Sequence, residues 1–399
     1  MKIVDLKCAV IGDNPVVRIV TDEGIVGYGQ GESFKPFLKP LVLQFRKALV
    51  GHDPTDVERM MMRIRRRGGF KPYGAAISMI EHALWDIAGQ AAGVPVYKLL
   101  GGKVRDEVRV YNGAVRPEMT GTSPEDYARA VKAMKDHPYG FTMVKMGVGF
   151  HSPMKRNVPD FFYGELHDPN PLHGFTESGV ITERGMAYMI ECVAAMKEVL
   201  GQDVGLALDC GPGMTPNDAL KFARAVEPYN LLWLEDTISG DYTPWVNSDV
   251  YRDLTHNTTT PIHTGEQIYL RQNFKGLIEG HAVNVVGPDP CDVGGIAEIK
   301  WIAEYADLHG IMMAPHGTGN GLLGLAALVQ VCATMPLNYI GFEIPTGKPD
   351  WWFDIVDGLP ENFVQNGMIK VWDTPGLGVT LNPEKTQPYL KNEDKDFFV

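Results

Sequence analysis

Three acidic residues stand at matching places in successive stretches of the chain. The apolar run 204–208 ends on Asp209, a Gly/Pro turn and a helical pattern follow, and a second apolar run, 231–234, ends on Glu235. The next repeat, Pro261-Ile262-His263-Thr264-Gly265-Glu266, ends on a third acid. Strand, helix, strand is the pattern of a parallel βαβ unit, which sets the same ends of its strands side by side. Asp209, Glu235 and Glu266 are therefore expected on one rim. Carboxylates held close repel unless a proton or a cation lies between them, and an all-oxygen set suits a magnesium-type ion. Any one of these acids could instead be the N-cap of the next helix. Three in the same position of three consecutive units argue for a site.

Neighbouring strand ends carry further reactive groups. Upstream, the segment 140–147 places Lys145 near the same rim, where its charge would neutralise a substrate carboxylate and acidify the adjacent carbon; a solvent-exposed strand-end lysine would read the same way. Downstream, Asp289 follows the apolar run 283–287 and His316 follows the run 311–315. An acid that accepts from one imidazole nitrogen fixes the tautomer and leaves the other nitrogen to take a proton. Asp289 and His316 thus form a general-base dyad by position. Glu343 ends the following strand and could hydrogen-bond a carboxylate or enolate from the side away from Lys145.

The elements that must position these groups alternate regularly. Strands are expected near 108–114, 141–147, 204–209, 231–235, 261–265, 283–287, 311–314 and 340–343. Helices are expected near 123–136, 183–200, 215–227, 248–256, 270–279, 295–309 and 320–335. So many alternations argue for a parallel sheet closed into a barrel, whose functional residues gather where strands end. Before them lies a three-stranded meander over residues 1–30, then helices at 38–49, 53–66 and 75–100, the last with Ile77, Ile80, Leu84 and Ile87 on one face and a stop at Gly93 and Pro95. Glu81 and His82 on it read as structural. A long segment, 148–181, breaks the rhythm. Loops of that length are functional or disordered, and Phe161, Phe162 and Tyr163 favour an ordered flap or a subunit contact, with His151, His167 and His173 as tempting acids or bases. The Pro/Gly-rich end, 359–399, is expected to return to the N-terminal domain.

With 399 residues, 44% of them hydrophobic, the chain can fill a barrel and a second domain. A formal net charge of −12 argues against non-specific nucleic-acid binding. Five scattered cysteines without CxxC spacing form neither a zinc site nor a disulfide framework, so a reducing cytoplasm is the expected compartment. No stretch approaches the roughly 20 apolar residues of a membrane span.

The succession Lys145, Asp209, Glu235, Glu266, Asp289 with His316, and Glu343, one per strand end, resembles the enolase superfamily, mandelate racemase subgroup. The similarity covers almost the whole chain: ALWDIAGQAAGVPVYKLLGG is close to that subgroup's usual helix and PDPCDVGGIAE to its strand-end aspartate. The resemblance implies an α/β fold, a modified TIM barrel (β/α)7β over 116–358, with an α+β capping domain over 1–115 completed by 359–399. It implies magnesium on Asp209, Glu235 and Glu266, and abstraction of the proton next to a carboxylate to an enediolate that the metal stabilises. Multimeric assembly is also usual in the subgroup, which makes a homo-oligomer the expectation.

Two departures narrow the reaction. Members with bases on opposite faces commonly carry Lys-x-Lys, whereas here the segment is Lys145-Met146-Gly147. Losing that base disfavours racemisation and leaves a one-base reaction: His316 takes the α-proton and, as imidazolium, protonates a departing β-hydroxyl on the same side. The expected activity is therefore hydro-lyase dehydration of an aldonate or aldarate to a 2-keto-3-deoxy acid, with an epimerase, racemase or cycloisomerase as the alternative and a barrel without turnover as a third reading. Other members expel the hydroxyl with a histidine two residues after the first metal ligand, and that position is Gly211. The acid is then His316 itself, or a flap residue such as Tyr163, His167 or His173.

Overall fold

The N-terminal alternation produces an antiparallel meander of β1 (Ile3–Ile11), β2 (Asn14–Thr21) and β3 (Val26–Gln30). Successive side chains of a strand face opposite sides, and here the two faces serve two cores. Leu6, Cys8, Val17 and Ile19 pack with the cap helices, whereas Ala9, Ile11, Val16 and Tyr28 join the barrel core. The computed structural model describes residues 1–33, 35–65, 71–112, 115, 117–164, 179–238, 246–317, 319–345 and 349–399.

The helix Lys71–Ala92 lies directly on β3. A Cβ at Gly27 would come within 2.2 Å of the Ala83 carbonyl oxygen, and one at Gly29 within 1.9 Å of that of Met79. Only residues without a Cβ permit that approach. As the periodicity predicts, Ile77, Ile80, Leu84 and Ile87 are fully buried, and the helix ends before Gly93, which has φ 67°. Glu81 ties the cap to the barrel: its carboxylate accepts from the backbone N–H groups of Ile296 (2.7 Å) and Ala297 (2.9 Å), at the start of the helix Ile296–Leu308. Burial pushes Glu81 up to about 8, against those hydrogen bonds and the nearby Arg65.

A raised acid binds its proton more tightly folded than unfolded, so stability declines as pH rises from the unfolded value of 4.5 through about 8. Glu81→Gln should therefore gain on the wild type across that window, by up to about 1.4 kcal/mol per pH unit. Urea unfolding at pH 5 and pH 8 measures it; a stability difference that stays constant between them would contradict the assignment.

Strand and helix alternate from β4 (Glu107–Tyr111) through β5 (Met143–Gly147), β6 (Gly205–Asp209), β7 (Leu234–Glu235), β8 (Ile262–Thr264), β9 (Val285–Val286), β10 (Met312–Met313) and β11 (Phe342–Glu343). β5 to β10 lie side by side in chain order, all parallel, and β11 pairs parallel with β4. Two seams join these sheets. At one, Met313 and Glu343 donate backbone N–H groups to Asn338 O and Pro315 O, both at 2.9 Å. At the other, the Asn112 side chain replaces a backbone ladder: it donates to Lys145 O (3.0 Å) and accepts from Lys145 N–H. The result is a curled, barrel-like parallel sheet beside an N-terminal cap.

Several strands are shorter than the apolar runs that contain them, yet their hydrogen bonds run on: Leu232 N–H donates to Leu206 O at 2.8 Å, outside β7. The helices that follow β6 and β7 are capped by Thr215 and Asn247, whose side chains accept from Asp218 and Val250 N–H. Asp209 and Glu235 are therefore not N-caps, which removes the simpler reading of those two acids.

The C-terminal segment divides its contacts. β12 (Val356–Asp357) pairs with β15 (Thr380–Leu381), and the hairpin of β13 (Val364–Gln365) and β14 (Met368–Lys370) adds antiparallel to β4. Its turn is Asn366-Gly367, with φ 53° and 70°, the strongest short hairpin signal a sequence carries. The last residues meet the cap, where the buried Asp394 carboxylate accepts from Val10 N–H and Lys39. Among the described residues no helix is long and apolar enough to cross a membrane.

Candidate active site

Register explains why the first charged groups converge. Gly147 pairs with Asp209 and Asp209 with Glu235, and side chains two apart on a strand share a face, so Lys145, Asp209 and Glu235 all point to the barrel interior. Lys145 is only 1% exposed, which overturns the solvent-exposed alternative. Its Nζ lies 2.6 Å from Glu235 Oε1, 3.2 Å from Glu343 Oε2 and 3.6 Å from Asp209 Oδ2. Burial opposes its charge, but these three carboxylates outweigh burial and raise its pKa well above the ordinary lysine value. The other Glu235 oxygen accepts from Trp233 Nε1 (2.9 Å), and His263 stacks on that indole at 5.2 Å. Burial raises Glu235 above the usual carboxylate range, Lys145 works against this, and Asp209, Glu343 and Glu266 add to it.

The dyad forms on the neighbouring strands. His316 Nδ1 lies 2.6 Å from Asp289 Oδ2, while Asp289 Oδ1 accepts from Cys291 N–H (2.6 Å) and Asn320 Nδ2 (3.1 Å). That leaves His316 Nε2 facing Glu266 Oε2 at 3.2 Å and Glu343 Oε2 at 3.4 Å. Burial lowers the imidazole pKa, but Glu266, Glu343 and Asp289 together carry it well above the ordinary value. Two partners escape sequence reading. Asn320 steadies Asp289 from the loop after β10. Glu32, in the loop after cap strand β3, offers an oxygen within 4.8 Å of ligand atoms of both Asp289 and His316, and is paired with Lys35, which also holds Asp292 at 2.6 Å.

The acid set fits a hard cation by its chemistry. Glu235, Asp236 and Glu266 each present an oxygen within 4.8 Å of the others, all buried, and only oxygen donors are offered, as magnesium requires. Asp209 adjoins this group through the strand register and the shared Lys145 rather than by joining the trio. Asp236 is a further acid not singled out in the sequence; it accepts from Thr264 Oγ1 at 2.7 Å.

Two family models cover most of the chain: the mandelate racemase / muconate lactonizing enzyme N-terminal domain matches residues 12–101, and the enolase C-terminal domain-like family matches residues 126–385. The chain belongs to the enolase superfamily, in its mandelate racemase subgroup. Among superfamily relatives, a D-xylonate dehydratase from Haloferax volcanii is 31% identical over 98% of this chain and 89% of its own length. A D-galactonate dehydratase from Ralstonia pickettii is 28% identical over 92% and 88%. The solved structure of a mandelate racemase/muconate lactonizing enzyme-like protein from Rubrobacter xylanophilus is similar with a TM-score of 0.83, at 31% identity and 98% coverage of both chains.

Against the superfamily pattern, the two bare positions and the flap stand out. Gly147 ends β5 and Gly211 lies two residues past the end of β6, and both abut His151. In the flap, Phe161 is buried against Phe150 and Phe162, and Phe162 bridges to Ile181, so its two ends fold onto the barrel. Tyr163 is 67% exposed. His167 and His173 lie outside the described residues. His151 alone of the flap histidines is seen at the site, with Nδ1 3.3 Å from Asp209 Oδ1. At the loop 11–14, the buried Asn14 donates to Gly31 O (2.9 Å) and Gly319 O (3.3 Å), which docks the cap beside the His316 loop.

Proposed function

We propose that this enolase-superfamily enzyme is a magnesium-dependent dehydratase of a sugar acid, an aldonate or aldarate, and that it yields a 2-keto-3-deoxy acid. One observation carries the reading: a buried His316–Asp289 pair turns its remaining nitrogen toward an interior that holds the Lys145 ammonium and that Asp209, Glu235 and Glu266 line with oxygens. The dehydratase names of two relatives that share most of the chain support it.

The residues divide the work by chemistry. Lys145 is placed to hold a substrate carboxylate oxygen, and its permanent charge lowers the cost of negative charge developing there. His316 takes the α-proton, and Asp289, itself held by Cys291 N–H and Asn320, keeps the imidazole in one orientation and stabilises it once protonated. Glu343 lies between Lys145 and His316 and in its protonated form would donate to the carboxylate end. Asp209, Glu235 and Glu266 would hold magnesium, which when bound supplies Lewis-acid charge to the substrate carboxylate. The β C–O bond then breaks, the oxygen leaves as water with a proton from an imidazolium, and the resulting enol becomes the keto acid. Gly147 in place of a second lysine disfavours inversion at the α-carbon.

Testing starts with purified protein, magnesium and a panel of sugar acids, scored for keto-acid release. The ligand assignment has its own check. Glu235→Gln is expected to weaken magnesium binding by at least about tenfold, the lower limit for disturbing even the outer partners of a ligand. Titration calorimetry reads this directly, and unchanged affinity would remove Glu235 from the set.

A further inference from the structure

Gly147 and Gly211 are the two positions where a superfamily enzyme would carry a second base or a leaving-group acid, and the structure shows what fills the space beside them. A Cβ on Gly147 would lie 2.8 Å from the Cδ2 of His151 and 2.5 Å from its carbonyl oxygen. One on Gly211 would lie 2.9 Å from the Cβ of His151 and 2.8 Å from its backbone nitrogen. A side chain at Gly147 would meet the carbonyl and the imidazole edge of His151, and one at Gly211 would meet its backbone and Cβ, so His151 in this position requires glycine at both. Gly211 also has φ 60°, a backbone conformation that a histidine there would adopt only under strain.

His151 is held firmly. Its N–H donates to Val148 O (3.1 Å) and to Cys210 O (3.0 Å), which locks the turn to the end of β6. One ring nitrogen faces Asp209 Oδ1 at 3.3 Å, much as His316 faces Asp289. The side chain keeps 20% of its surface open. His151 follows β5 and His316 follows β10, the two outer strands of the six-stranded run, so the imidazoles approach the barrel mouth from different walls.

We infer that His151 is a further catalytic residue, which engages the departing β-hydroxyl from the wall across from His316 and supplies its proton. The inference rests on the dehydratase reading and on position. The step balances without an outside reagent. His316 takes the α-proton, and the C–H pair becomes the C=C bond. The β C–O bond breaks with its pair passing to oxygen, and the ring N–H proton of His151 leaves with that oxygen as water. The enol becomes the keto acid, His316 releases its proton to solvent, and His151 regains one. Elimination is then anti, not the syn course expected when His316 serves both roles.

The test separates the two half-reactions. Wild type, His151→Ala and His151→Gln are incubated in D2O with magnesium and a sugar acid that the wild type dehydrates. Keto-acid release and α-deuterium in the recovered substrate are followed together. Both variants are expected to lose release by about a hundredfold or more, the contribution of a placed proton donor, while α-exchange stays within about twofold of wild type, because His316 is untouched. Retained exchange itself reports an intact fold, and Gln keeps the length of the side chain should Ala perturb the turn. Exchange and release falling in parallel, or neither changing, would overturn the role of His151 and leave the dehydratase reading standing. A wild type that exchanges or inverts the α-carbon on every acid without releasing keto acid would overturn that reading, and this inference with it.

Discussion

His316→Asn is expected to lower turnover by about a thousandfold, within the range that a positioned general base contributes, with folding and magnesium binding unchanged. Asparagine fills similar space and can still meet Asp289, whose other oxygen is already satisfied by Cys291 N–H and Asn320. What it lacks is the second nitrogen that faces Glu266 and Glu343 in the interior. Because the α-proton leaves first, α-deuterium exchange must disappear along with keto-acid release, which distinguishes this variant from those at His151. Exchange, product release and magnesium titration on one preparation are enough. Substantial remaining exchange would remove His316 from the base position.

The largest effect on stability is expected at Lys145. Lys145→Met leaves Asp209, Glu235 and Glu343 facing a space that an ammonium has filled, and breaking a buried pair by removing one partner costs about 3–5 kcal/mol. Burial already raises Glu235 with Lys145 present, so one of the acids takes a proton when the lysine goes, and that relief holds the loss toward the lower end. Denaturant unfolding near neutral pH with a chelator present measures it. A loss below about 1 kcal/mol, typical of an exposed ion pair, would mean that Lys145 contributes little to holding the acids together.

What the sequence makes legible follows from periodicity. Apolar runs that end on a charged residue place Asp209, Glu235 and Glu266 at strand ends, and the order of strands follows from the βαβ repeat. The cap helix is equally plain, since Ile77, Ile80, Leu84 and Ile87 recur at helical spacing and are all buried. Contacts between segments far apart in the chain leave no such trace. Asn112 closes the β4–β5 seam with a side chain, Glu32 reaches the dyad from the cap, and Asn320 steadies Asp289 from the next loop. None of the three belongs to a periodic pattern. The hairpin at Asn366-Gly367 did carry a local signal, but its partner, β4, lies some 260 residues earlier. His151 is readable as a histidine near the site and no further, because its meaning depends on the space beside Gly147 and Gly211, which only the folded chain defines.

The most direct test of the central claim is keto-acid release from purified protein with magnesium, using aldonic acids first, D-xylonate and D-galactonate among them, then aldaric and uronic acids, with α-deuterium followed in the same tubes. The account predicts a semicarbazide-positive 2-keto-3-deoxy acid from one or a few of these acids, abolished by a chelator. Exchange at the α-carbon with no keto acid from any of them would contradict dehydration, and would place the enzyme among the superfamily's isomerases instead.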